Sequence, residues 1–124
     1  MAKKYYHKIP KKTTSNYSNP QADVPLAFHA MMGKVTKVKE AIRNGADVNQ
    51  VLDSGFNILY MVIMSTKGPF TENHLKVMEV LIANGIDVSN RAWIEEKNQY
   101  TTLLHLAIVK ENIAALDLLI KNGA

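Results

Sequence analysis

Apolar residues recur at spacings of three and four in three stretches, and each stretch runs into the same dipeptide. Val35, Val38 and Ile42 lead to Asn44-Gly45. Leu75, Met78, Leu81 and Ile82 lead to Asn84-Gly85, and Ile113, Leu116, Leu119 and Ile120 lead to Asn122-Gly123. This spacing places each set on one helical face, whereas strict alternation would signal strands joined by an Asn-Gly hairpin. Glycine after such a face closes the helix in the left-handed region, because it has no Cβ to meet the following carbonyl. Three helix ends are therefore predicted. The glycines are 40 and 38 residues apart, an internal repeat near the period of about 33 residues typical of stacked helix pairs.

A shorter apolar run precedes each helix, at Pro25–Ala30, Ile58–Ile63 and Leu103–Ile108. Each fits a first helix lying antiparallel to the second across a short turn. Neither helix of a pair can bury its face alone, and stacking neighbours gains about 25 cal/mol per Å² of apolar surface removed from water. The prediction is an all-α fold, an open stack of three helix pairs whose long surface suits recognition rather than catalysis.

Several segments in register resemble the ankyrin repeats. Thr102-Leu103-Leu104-His105-Leu106-Ala107 is similar to the family's Thr-Pro-Leu-His-x-Ala signature, with Leu103 in place of proline. Pro25-Leu26, Gly33 and Gly45-Ala46-Asp47-Val48-Asn49 match in the first unit, and Gly55 and Gly85-Ile86-Asp87-Val88-Ser89 in the second. The resemblance covers residues 23–124, in units of about 23–51, 52–91 and 92–124. It implies an ankyrin-repeat solenoid of antiparallel helix pairs joined by β-hairpin-like fingers. It implies a protein–protein interaction module, presenting a concave groove and performing no catalysis of its own. It also implies that the His105 imidazole ties adjacent hairpins together.

Departures from the family pattern give further expectations. Aligned on Leu26, Leu59 and Leu104, the second unit holds seven extra residues between its helices, within Ser65–His74. Gly68-Pro69 forces a loop there, and Thr71 suits an N-cap. Five extra residues, Trp93–Lys97, lengthen the finger entering the third unit. His29 stands where the family prefers alanine, and Tyr100 replaces the hairpin glycine, which predicts a distorted finger.

Partners of ankyrin repeats touch the finger tips and the end of each first helix. By that resemblance the candidate contacts are Asp53, Ser54 and Phe56 on one finger, and Trp93, Glu95, Glu96, Asn98, Gln99 and Thr101 on the other. Met31, Met32, Met64, Ser65, Val109 and Lys110 would line the groove. Aromatic residues anchor interfaces disproportionately, which puts Phe56 and Trp93 first. The competing reading of Trp93 is that it folds back over neighbouring helices.

Composition confines the basic character to one end. The 124 residues carry a net charge of +4. Residues 1–24 hold five lysines against Asp23, and the remainder holds ten basic and ten acidic groups. The tail, 1–22, lacks helical or strand periodicity and is predicted to be disordered, a solubilising leader. Its alternative, a nucleic-acid or anionic-membrane contact, would be weak and salt-sensitive with so few cations.

Catalytic chemistry finds no support in the pattern. No cysteine is available for disulfides or thiolate metal sites. His7, His29, His74 and His105 lack zinc-site spacing, and no phosphate-binding glycine loop or Gly-x-Ser-x-Gly elbow occurs. Adjacent Glu95 and Glu96 fit a solvated loop better than an acid–base pair. The expectation is no enzyme, cofactor, metal or small-molecule substrate.

No stretch nears the roughly 20 apolar residues of a membrane span or holds a signal-peptide core. A cytoplasmic or nuclear location is expected, with nonclassical export into a host cell as the alternative. The sequence stops at Ala124 with apolar Leu116, Leu119 and Ile120 on its last helix and no polar cap. This suggests the N-terminal targeting segment of a larger enzyme or secreted effector, or self-association through the uncapped C-terminal repeat. The identity of a protein partner is not encoded in the fold.

Overall fold

The computed structural model describes residues 20–52, 55–64 and 68–124, with side chains from residue 22 onward. Its elements follow in the order α1 (Pro20–Met31), α2 (Val35–Arg43), α3 (Ile58–Ile63), α4 (Glu72–Ala83), β1 (Arg91–Ile94), β2 (Gln99–Thr102), α5 (Leu103–Val109) and α6 (Ile113–Lys121). The first helices pack in chain order, α1 on α3 on α5, and the second helices do the same, α2 on α4 on α6. Between the two rows lies one core, built from Leu26, Leu59, Leu103 and Ala107 of the first helices and Val38, Met78, Leu81 and Leu119 of the second.

All three Asn-Gly pairs end helices, and the reason is visible in the hydrogen bonds. Gly45, Gly85 and Gly123 have φ of +97°, +91° and +90°. Each donates its N–H three residues back, to Ile42, Ile82 and Ile120, while the next residue reaches five back, to Ala41, Leu81 and Leu119. That paired pattern satisfies the carbonyls a helix end leaves open. The asparagine adds a bond of its own: the Asn84 and Asn122 side chains donate to the Val80 and Leu118 carbonyls, both at 2.8 Å.

Helix starts are capped as the side chains allow. Asn57, Thr102 and Asn112 accept from backbone N–H groups two or three residues on, and Thr71 caps α4 as its sequence suggests. α1, however, begins five residues ahead of the apolar run that starts at Pro25. The extra turn is held from a distance. The buried Asp23 carboxylate accepts from the Asp47 N–H at 2.7 Å, and Gln50 Nε2 donates to the Asp23 carbonyl at 3.1 Å. Pro25 removes only one N–H from the turn so held.

The long finger is regular, not distorted. β1 and β2 pair antiparallel, Arg91 with Thr102, Ala92 with Thr101, Trp93 with Tyr100 and Ile94 with Gln99. Tyr100 sits inside this ladder, and the left-handed residue that the turn needs is Asn98, at φ +53°. In the preceding finger the described residues form an isolated antiparallel bridge between Val51 and Asn57.

Candidate partner-binding groove

The groove between the second and third units is built outward from Tyr60. Asn57 fixes the start of α3: its Oδ1 accepts from the Leu59 N–H at 3.1 Å and its Nδ2 donates to the Asp87 carbonyl at 2.9 Å. One turn on, Tyr60 is fully buried. Its hydroxyl lies 2.8 Å from the Asn90 carbonyl and 3.1 Å from the Thr101 carbonyl, sharing its proton between them across the root of the long finger. Burial pushes the phenol above its ordinary range, and the negative charge of Asp87 adds to the shift. Phe56 packs edge-on against the Tyr60 ring, with centroids 5.0 Å apart.

Strand alternation then decides which finger residues face this floor. Ala92 and Thr101 form the buried pair, and Ile94, two residues on, shares their side. A cavity of about 240 Å³ results, walled by Phe56, Tyr60 and Met64 on one side, Leu106 and Val109 on another, and Ile94 and Thr101 from the finger. Lys97 and His105 complete its rim.

The residues singled out from the sequence divide into groups. Phe56, Met64, Thr101 and Val109 meet in this cavity. Trp93 falls on the opposite face of the finger, half-buried, 4.9 Å from Tyr100, whose ring also receives the Arg91 guanidinium at 4.7 Å. Trp93 thus packs edge-on against Tyr100 within its own finger. Glu95, Glu96 and Asn98 form the exposed tip, and Gln99 is exposed where β2 begins. Lys110 lines a separate depression of about 500 Å³ with Ile63, Phe70 and Ile113. Met31 ends α1 beside the first junction, half-buried, and Met32 follows it in the turn, exposed. Asp53, Ser54 and Ser65 lie outside the described residues.

Residues 26–124 match the family model for ankyrin repeats, in three copies. The chain is an ankyrin-repeat protein. No curated protein matches it. Among the described residues, no His, Asp and Glu cluster could hold a metal ion, and no helix is long and apolar enough to cross a membrane.

Within this ankyrin-repeat protein the tie seen between the second unit and the next finger comes from Tyr60, and the His105 ring meets none of the described fingers by a hydrogen bond. That imidazole is exposed, and the bond at this position runs from the His105 backbone N–H to Thr102 Oγ1 at 3.1 Å. Tyr60, at the aligned position one unit earlier, reaches the next finger instead. Its place beside Leu59, aligned with His105 beside Leu104, was the available signal.

His74 was missed altogether as a structural residue. Thr71 N–H donates to its Nδ1 at 3.0 Å, and its Nε2 lies 3.1 Å from the Met31 carbonyl. A carbonyl can only accept, so Nε2 carries the proton and the tautomer is assigned. Together with Thr71, whose Oγ1 accepts from the His74 N–H, the ring closes a capping box with histidine at the place usually taken by Glu or Gln. Phe70 stacks on it at 5.5 Å. Gly33 makes the room: a Cβ there would stand 3.1 Å from the imidazole.

Proposed function

We infer that the chain is a protein-binding module that presents the groove between its second and third units to a partner. Ankyrin repeats are generally protein-interaction modules, and the observation that carries the finer reading is the apolar cavity walled by Phe56, Met64, Leu106 and Val109. Binding hot spots sit where an anchor side chain fills a well-packed, dry pocket. The stacked helices hold these walls in place before the partner arrives, so little ordering entropy opposes binding. In this reading the solenoid acts by rigid presentation, and no bond is made or broken.

Affinity capture with mass spectrometry tests it, using the intact chain beside a folded Val109→Glu variant. A partner retained by the first and lost by the second supports the groove. A partner held equally by both removes the groove from the account.

A second reading, self-association through the third unit, is favoured by Ile108. Its aligned counterpart Ile63 is 4% exposed under the next unit, whereas Ile108 is 59% exposed, with Ile113 and Ile120 also open. Sedimentation over a concentration range tests it, since Ile108→Lys would return an assembly to monomer.

A further inference from the structure

We propose that the groove between the second and third units takes one bulky apolar side chain of an extended peptide segment, with a carboxylate on a residue next to that anchor. The proposal rests on the groove reading and specifies the partner. Its volume of about 240 Å³ falls below the roughly 300–1,000 Å³ of pockets that engulf a small molecule, and suits a single side chain inserted from outside.

The floor selects for apolarity because its phenol is already engaged. The Tyr60 hydroxyl is committed to the Asn90 and Thr101 carbonyls, so only its ring takes part in the lining. A polar side chain pushed down to this floor, beneath the rim, would surrender water without a bond from the Tyr60 hydroxyl, which costs about 1–3 kcal/mol. Phe56, Met64 and Val109 offer contact area instead, and methionine adapts to anchors of different shape.

Charge at the rim selects the flank. Among the described residues lining the groove, the ionisable side chains able to carry positive charge are Lys97 and His105, and no carboxylate lies among them. The finger turn sorts its own charges: Lys97 borders the cavity, while Glu95 and Glu96 of the same turn do not. An acidic neighbour of the anchor therefore meets complementary potential, which fixes direction and partner choice more than raw affinity. A nucleic acid fits less well, because Glu95 and Glu96 repel phosphate at the tip and the repeat region carries equal numbers of basic and acidic groups.

Selection of a phage-displayed library of short random peptides on the intact chain tests the proposal. Synthetic copies of the enriched peptides are then titrated against the intact chain, Val109→Glu and Lys97→Glu, each checked for folding by circular dichroism. The expected consensus is Leu, Met or Phe beside Asp or Glu. Val109→Glu should weaken these peptides about tenfold or more, and selection on Lys97→Glu should move the flank preference toward Lys or Arg. Peptides without an apolar anchor, a flank indifferent to Lys97→Glu, or failure to enrich any peptide would each overturn it. Should natural partners still be lost on Val109→Glu while no peptide is enriched, the groove reading stands and the single-side-chain occupant falls.

Discussion

The two junctions of this chain are built from like helix pairs and finished differently. Between the first and second units, the His74 ring spans from α4 to the Met31 carbonyl at the end of α1. Asn49 bridges the two post-helix turns, donating to the Gly85 carbonyl and accepting from the Asp87 N–H. Between the second and third units the Tyr60 hydroxyl ties the finger root, and the space above it is open and lined mainly by apolar side chains. At the first junction these directional bonds tie helix end to helix end and turn to turn, while a shallow depression of about 400 Å³ remains between α2 and α4. Where the Tyr60 phenol holds the root, the same stacking leaves the apolar cavity proposed above as the partner site.

Removing the floor of the open junction should have the largest effect. Tyr60→Ala deletes a fully buried ring along with the bond to the next finger, and should destabilise the chain by about 3–5 kcal/mol in denaturant unfolding. At the first junction, His74→Ala should lose about 1–3 kcal/mol, since it opens the capping box and removes the ring's bond to the Met31 carbonyl. His74→Gln should recover part of that loss, because glutamine at this position can rebuild the box. A full loss with glutamine would mean that the contact to Met31 and the stacking on Phe70 dominate.

The turns between helices sharpen the contrast. Gly33 has φ +72° and faces the His74 ring, so Gly33→Ala should cost about 1–2 kcal/mol. Seven residues after Leu104, as Gly33 is after Leu26, the third unit places Glu111 at φ +55°. Glu111→Gly relieves that strain and should raise the unfolding midpoint, by up to about 1 kcal/mol in stability.

Alkaline pH probes the Tyr60 floor of the second junction. The Tyr60 phenol holds its proton more tightly folded than unfolded. Its contribution is therefore fully present below the unfolded value of about 10 and is lost above it, at about 1.4 kcal/mol per pH unit. Unfolding measured above pH 10 should show this slope in the parent and lose it in Tyr60→Phe. Equal slopes in the two proteins would place the alkaline loss elsewhere.

Helix ends were legible because they are local: an apolar face, then Asn-Gly, fixes the closing bonds without outside help. The start of α1 was not, because its first turn depends on Asp23 meeting Asp47, a contact across 24 residues. Of the groove, Phe56, Met64 and Val109 were readable from their repeat positions. Ile94 and Lys97 were not, since the five inserted residues carry no register until β1 and β2 pair. That register also separates Trp93 from Phe56, two aromatics that the sequence alone treats as one surface. His74 stayed hidden because its function depends on where Met31 and Gly33 lie in space.

The most direct test uses that separation. Titrating the captured partner against Phe56→Ala and Trp93→Ala, each shown folded by circular dichroism, places the interface on one face of the finger or the other. The account predicts that Phe56→Ala weakens binding by about tenfold or more while Trp93→Ala leaves it nearly unchanged. Binding lost with Trp93→Ala and kept with Phe56→Ala would move the site to the Trp93–Tyr100 face and contradict it.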